Sequence, residues 1–193
     1  MRARRQADAR GAALIRKAAS ICLSYPGIGF SIQLALVERA VRELDAAAAE
    51  PFLRFTAWAE SQDPYDLAAA YVAAFDQRNR ASLYLTWWTA GDTGNRGEEI
   101  VKFIAAYREA GYEYGGEELP DHLPVVLDFA SCAGAYAAEV GGALLGAYRE
   151  SLVRLRDSLE RGDREGHGYG GHAAALIDAV LTTVPATAGE PGS

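Results

Sequence analysis

The chain has 193 residues, of which 50% are apolar, and carries a formal net charge of −7. A chain of this length and composition can bury a sizeable core, which excludes compositional disorder. Its negative charge disfavours nucleic acid as a general partner and favours a positively charged peptide. Cys22 and Cys132 lie far apart, which argues against a disulfide scaffold or structural zinc site and fits the cytoplasm.

The amino-terminal residues 1–8 are basic, and we expect them to be flexible. No apolar run long enough for a signal peptide or a membrane span follows, because Arg16 and Lys17 interrupt it. We therefore expect a soluble, cytoplasmic protein with one helical domain over residues 9–184. The Pro/Gly/Ser-rich tail over residues 185–193 is expected to be disordered.

Apolar residues recur at helical spacing along most of the chain, which predicts an all-α fold in a single compact domain. Ser31 and Asp121 are predicted N-caps, and Pro51 is the predicted first residue of the third helix. Gly141-Gly142 is predicted to separate two helices. The predicted helices span, in chain order, residues 9–25, 31–48, 51–60, 65–76, 98–112, 122–140, 145–159 and 173–183.

The segment 71–97 contains two of the three tryptophans, Trp87 and Trp88, close to Tyr84. A loop this rich in aromatic residues is either packed onto the core or built to bind a partner. Residues 82–89 could also form a short strand, but the sequence offers no partner segment for it.

The sequence carries no pattern typical of an enzyme. His167 and His172 lie in a glycine-rich loop and His122 lies apart from them, so no rigid pair of metal ligands is predicted. The chain contains no GxSxG motif, and the glycines of 91–97 lack the Lys-Ser/Thr ending of a phosphate-binding loop. A helical DNA-binding regulator is an alternative, although the helix over 31–44 lacks the basic outer face of an operator-reading helix.

Two motifs resemble a known family. The first consists of Tyr71-Val72, Phe75-Asp76, Arg80, Ser82-Leu83-Tyr84-Leu85-Thr86, Gly91-Asp92-Thr93 and Arg96-Gly97. The second is Glu118-Leu119-Pro120-Asp121-His122-Leu123-Pro124-Val125-Val126-Leu127. In this order and spacing they resemble the respiratory nitrate reductase assembly chaperones, the NarJ-like or delta-subunit proteins within the TorD/DmsD-type molybdoenzyme chaperones. The resemblance covers roughly residues 14–181, and departs from the family where Gly94 replaces a basic residue.

The resemblance implies a TorD/NarJ-like helical bundle and a dedicated, non-catalytic chaperone. Such a chaperone binds the amino-terminal segment of the nitrate reductase catalytic (alpha) subunit in the cytoplasm. It supports insertion of the molybdenum bis-guanine-dinucleotide cofactor before membrane docking, without holding the cofactor stably itself. A chaperone for a different molybdoenzyme is an alternative, and the chain is expected to be a monomer or weak dimer.

We expect the peptide site where segment 71–97 meets the helix start over residues 117–127. The candidate residues are Asp76, Arg80, Tyr84, Trp87, Asp92, Arg96, Glu118, Asp121 and His122. Six of them have a structural alternative. Asp121 could be an N-cap, and His122 could bond to a backbone group across the loop. Tyr84 and Trp87 could lie in the core, and Arg80 could pair with Asp76. We expect Tyr71, Phe75 and Leu83 to be core, and residues 92–96 to be the adaptable turn.

Overall fold

Helices make up most of the structure. It is a computed structural model that describes residues 2–75, 81–91, 95–132 and 134–184. The described residues form ten helices and no strand, which confirms the all-α prediction. The helices are α1 (Arg2–Cys22), α2 (Phe30–Val41), α3 (Ala46–Glu60), α4 (Pro64–Phe75), α5 (Trp87–Ala90), α6 (Arg96–Glu109), α7 (Leu123–Ala130), α8 (Ala135–Ala147), α9 (Arg149–Gly162) and α10 (Tyr169–Thr182).

The predicted starts of α2 and α3 are wrong. Gly29 precedes α2 with a φ of 83°, a left-handed conformation that suits glycine, and Ser31 lies inside the helix. Asp45 caps α3, because its carboxylate accepts a hydrogen bond from the backbone N–H of Ala48 at 3.0 Å. Pro51 therefore lies in the interior of α3, since the helix is already established upstream of it.

The predicted break at Gly141-Gly142 is also wrong, since both glycines lie inside α8. A Cβ on Gly141 would come within 2.5 Å of the Ala130 Cα, and one on Gly142 would lie 3.6 Å from the guanidinium of Arg16. Gly141 therefore permits close packing of α8 against α7, whereas a side chain at 142 would make only an ordinary contact. The predicted helix over 122–140 ends at Ala130, and the one over 145–159 is divided at Tyr148.

Tyr169 is the centre of an aromatic cluster between α3, α4 and α10. The ring centroids of Phe55, Trp58, Tyr71 and Phe75 lie 5.4 to 5.7 Å from its own, all edge to face. Aromatic pairs prefer this arrangement, which stabilises the core beyond simple burial. The prediction that Tyr71 and Phe75 are core residues is confirmed, and Leu83 is buried as well.

Arg16 of α1 is buried and neutralises the ends of two helices. Its guanidinium donates to the carbonyl oxygen of Ala130 at 3.2 Å and to that of Thr183 at 2.7 Å. These carbonyls lie at the carboxyl ends of α7 and α10, where the helix dipole favours a positive charge. Burial lowers the pKa of Arg16, and these hydrogen bonds offset part of the cost of burying its charge.

The prediction that His172 lies in the glycine-rich loop is wrong, because it lies inside α10. Within the described ranges, no group of three or more His, Cys, Asp or Glu side chains is placed to hold a metal ion. His172 is buried and stacks on Trp58, whereas His167 is exposed. None of the helices in the described part of the chain is long and apolar enough to cross a membrane.

Candidate functional site

Two segments of the predicted motifs pair side by side. Leu85 N–H donates to the Asp121 carbonyl at 3.1 Å, and Leu123 N–H donates to the Leu83 carbonyl at 2.8 Å. Between these bonds Tyr84 and His122 form a single antiparallel bridge. In such a non-hydrogen-bonded pair the side chains lie close together, and the two rings are 5.1 Å apart. The segment over 82–89 therefore does have a partner, although the pairing is too short to form a strand.

Asp121 holds the start of α5. Its Oδ2 accepts hydrogen bonds from the backbone N–H of Thr86 at 3.2 Å and from the Thr86 hydroxyl at 2.6 Å. Both residues are fully buried. The predicted N-cap role of Asp121 is wrong, because His122 precedes α7 and no side chain caps that helix. Asp121 of the second motif instead binds Thr86 of the first motif beneath the surface, and this contact positions the surface residues of the site.

Tyr84 lies at the surface above this pair, with a carboxylate on one side and a cation over its ring. Its hydroxyl donates to Glu118 Oε2 at 2.7 Å, and the Arg96 Cζ lies 5.5 Å from its ring centroid. The same Cζ lies 6.0 Å from the Trp87 ring. Partial burial, the hydrogen bond to Glu118 and the nearby carboxylates raise the pKa of Tyr84 to about 12. The hydroxyl therefore stays protonated and donates at all physiological pH values.

The two neighbouring tryptophans face different directions. The indole N–H of Trp88 donates to the Ser82 carbonyl at 2.9 Å, and the ring packs against the hydrophobic core. Arg154 of α9 donates to the Trp88 carbonyl at 3.0 Å and ties α5 to the bundle. Trp87 is half-buried and lies beside Arg96. Trp88 is therefore an anchor, and Trp87 belongs to the site.

The second motif is held in place by Tyr107 of α6 and by Tyr114, which follows that helix. The hydroxyl of Tyr107 donates to the Pro120 carbonyl at 2.6 Å, and that of Tyr114 donates to the Glu118 carbonyl. Burial, which is the main cause, raises the pKa of Tyr107, so it too remains a donor. These contacts fix the backbone from Glu118 to Asp121 while the Glu118 side chain stays exposed.

Six of the nine predicted site residues come together in this region: Tyr84, Trp87, Arg96, Glu118, Asp121 and His122. Asp76, Arg80 and Asp92 lie outside the described residues, as does most of the predicted adaptable turn.

Sequence reasoning missed the role of Thr86. Its hydroxyl donates to Asp121 and accepts a hydrogen bond from the Arg96 Nε at 3.2 Å. It therefore links the buried carboxylate to the surface cation. Thr86 belongs to the first motif, but no local pattern connects it with a residue 35 positions further along the chain.

The segments that build this site lie within a region that matches a known family. The family model described as nitrate reductase delta subunit matches residues 36–161, well over half of the chain. The chain belongs to the nitrate reductase delta subunit family. Residues 81–91 and 118–123 both lie inside the match, so the NarJ-like relationship predicted from the two motifs is confirmed.

Individual relatives of the delta subunit family agree with this assignment. Nitrate reductase-like protein NarX of Mycobacterium tuberculosis is 40% identical over 146 residues, which is 76% of this chain but 22% of NarX. A Bacillus subtilis protein named probable nitrate reductase molybdenum cofactor assembly chaperone NarJ is 29% identical over 76% of this chain and 78% of that protein. Escherichia coli NarJ, named a nitrate reductase molybdenum cofactor assembly chaperone, is 36% identical over 85 residues, which is 44% of this chain and 35% of that protein.

Proposed function

We propose that this protein is a non-catalytic assembly chaperone for a nitrate reductase. In this proposal it binds the amino-terminal segment of the catalytic subunit in the cytoplasm. It then keeps the subunit from docking on the membrane until the molybdenum cofactor has been inserted. The cofactor belongs to the client and is not held stably by the chaperone.

The relatives' names support the first part of this proposal. Two NarJ proteins that match this chain are named molybdenum cofactor assembly chaperones of nitrate reductase. The Bacillus subtilis protein is matched over 78% of its length, so the likeness extends over most of a protein with that name.

The observation that carries the binding step is the surface formed by Tyr84, Trp87 and Glu118. Aromatic faces next to an exposed carboxylate suit a peptide that has both apolar and basic side chains. The net charge of −7 adds a long-range attraction for such a peptide, which affects the association rate and partner choice more than affinity. The hydrogen bonds from Thr86 to Asp121 hold this surface in place, so its side chains lose little conformational entropy when the peptide binds.

Recovery of the client from cells is the first test. The tagged chain, expressed in a host that makes nitrate reductase, should retain the catalytic subunit before cofactor insertion. It should release that subunit once the enzyme is mature. Recovery of a different molybdoenzyme would change the client, and recovery of none would contradict the chaperone function.

A peptide titration tests the location of the site. Glu118→Gln should weaken binding of a synthetic leader peptide about fivefold, equivalent to about 1 kcal/mol, since one exposed carboxylate is lost. Glu117→Gln is the matched control, because it removes the same charge from the neighbouring exposed residue. Equal affinities for the two variants would place the peptide elsewhere. Affinity should also fall as salt rises, and a flat salt response would contradict the electrostatic contribution.

A further inference from the structure

Arg96 lies where a partner's cation would be expected to bind. Its guanidinium lies over the Tyr84 ring and beside the Trp87 ring, with Cζ 5.5 and 6.0 Å from the two centroids. The Tyr84 hydroxyl is bonded to the exposed carboxylate of Glu118. Two aromatic rings and a carboxylate are the groups that proteins use to bind guanidinium and ammonium ions.

The contacts that hold Arg96 there are weak. Among the described residues it forms no ion pair, and its one hydrogen bond runs from Nε to the Thr86 hydroxyl at 3.2 Å. Arg96 is also the first residue of α6, where the helix dipole disfavours a positive charge. Displacing its guanidinium would therefore cost little.

Within the described residues, the buried carboxylate of Asp121 accepts hydrogen bonds through only one of its two oxygens. Asp121 is fully buried, and its Oδ1 has no hydrogen-bond partner within the described part of the chain, whereas Oδ2 accepts both bonds from Thr86. A buried carboxylate oxygen without a donor is energetically unfavourable and attracts positive charge to the site. Arg96 reaches this carboxylate only through the Thr86 hydroxyl. Additional positive charge near Asp121 is therefore still favourable even with Arg96 in place.

We propose that Tyr84, Trp87 and Glu118, here called the cation cage, bind an arginine side chain of the client, and that Arg96 occupies the cage until the client displaces it. The identity of the client rests on the proposed function, whereas the cage itself rests on the geometry. An intramolecular occupant is present at high effective concentration, so it lowers the apparent affinity for any external guanidinium. Arg96 would thereby lower the occupancy of the cage by every external cation by the same factor, so that only tightly bound peptides fill it.

Titration with N-acetyl-arginine amide tests the cage without any client. Arg96→Gln should bind this probe at least about fivefold more tightly than the wild type, as expected for release of a cation–π contact. The change can be followed in NMR spectra through the indole N–H signal of Trp87. Binding by Arg96→Gln no tighter than by the wild type would overturn the proposal.

Two further variants separate displacement from a general change in charge. Lys102→Gln removes the same charge from the exposed face of α6, where Lys102 pairs with Glu99, and should bind the probe like the wild type. If it gained as much affinity as Arg96→Gln, the cage would be overturned in favour of a general electrostatic effect. Adding Glu118→Gln to Arg96→Gln should abolish the gain, since the probe then loses its carboxylate partner. Arg96→Lys keeps the charge but loses the planar group, and should fall between wild type and Arg96→Gln.

Leader peptides distinguish failure of the cage from failure of the proposed function. A peptide containing arginine should bind Arg96→Gln more tightly than the wild type, whereas its arginine-to-glutamine counterpart should bind both alike. If no peptide bound any form while Arg96→Gln still gained the amide probe, the cage would stand and the client assignment would fail. If the arginine peptide bound wild type and Arg96→Gln equally and the probe showed no gain, the function would stand and the cage would be overturned.

Discussion

Asp121 Oδ2 and the Thr86 hydroxyl oxygen are 2.6 Å apart, in a hydrogen bond that joins residues 35 positions apart in the chain. The Thr86 backbone N–H donates to the same oxygen at 3.2 Å. Because both residues are fully buried, this contact is shielded from competing water. It connects the two motifs of the delta subunit family into one structural unit.

Asp121→Ala should lower the free energy of unfolding by about 2–3 kcal/mol. The change leaves two buried donors of Thr86 without an acceptor. Asp121→Asn should cost less, because its amide oxygen can still accept from Thr86. Urea denaturation followed by circular dichroism provides the measurement.

Asp128→Ala is the matched control for Asp121→Ala. Asp128 is exposed and pairs with Lys17 at the surface, so its loss should change stability by less than about 1 kcal/mol. Equal losses of stability for Asp121→Ala and Asp128→Ala would show that the buried contact with Thr86 stabilises the fold no more than an exposed ion pair does.

Arg16→Met should destabilise the fold by about 1–3 kcal/mol. It leaves the carbonyls of Ala130 and Thr183 without their donor, and this cost is partly offset because a buried charge is also removed. Thermal unfolding of Arg16→Met and Lys17→Met provides the comparison, since Lys17 is exposed on the same helix. If the two variants had the same melting temperature, the proposed neutralisation of two helix ends by Arg16 would be wrong.

Gly141→Ala should destabilise the protein by about 1–3 kcal/mol, because the new Cβ would lie 2.5 Å from the Ala130 Cα and push α7 and α8 apart. Gly97→Ala is the opposite case, because Gly97 lies in α6 and no atom of the described residues lies within 4 Å of an added Cβ. It should stabilise by about 0.5–1 kcal/mol through helix propensity. Chemical denaturation of both variants measures the difference. An unchanged midpoint for Gly141→Ala would show that α8 can shift without cost.

His172 should make the fold less stable below neutral pH. Burial, which is the main cause, lowers its pKa, and the neighbouring Arg54 and His167 lower it further, whereas Asp163 and Glu50 raise it. The unfolded state therefore binds a proton more readily than the folded state. The stabilisation is present above the unfolded pKa of about 6.5 and is lost as pH falls towards the lower folded value.

His172→Gln should reduce the loss of stability between about pH 7.5 and pH 5.5, whatever its effect at neutral pH. His167→Gln should reduce that loss by less than His172→Gln, because His167 only adds to the effect of burial on the pKa of His172. Denaturation curves at the two pH values measure the difference for each variant. An identical pH dependence in His172→Gln and wild type would assign the acid sensitivity to other groups.

The core was predictable wherever local periodicity determines burial. Tyr71 and Phe75, four residues apart on one helix, were predicted to be core residues, and both are buried. Side chains three or four residues apart share one face of a helix, so the spacing alone identifies that face. Helix ends were predicted less well. Proline is common in the first turn of a helix, so Pro51 was predicted to begin α3, whereas Asp45 caps that helix six residues earlier.

Glycine shows why some boundaries could not be derived. Gly141 normally weakens a helix, so a break was the reasonable prediction. Only the approach of Ala130 explains why glycine is needed within α8, and that approach depends on how α7 and α8 pack.

By itself, the sequence determined that the protein is helical, that it belongs with the delta subunit proteins, and that Tyr84, Glu118 and Arg96 are candidates for binding. These conclusions depend on spacing over a few residues and on two short motifs. Only the tertiary structure showed that Asp121 holds Thr86, that Trp87 faces Arg96 while Trp88 points inward, and that Arg96 lies over Tyr84. The physical reason is that these contacts join segments far apart in the chain. Their geometry follows from how the whole core packs, which no local pattern specifies.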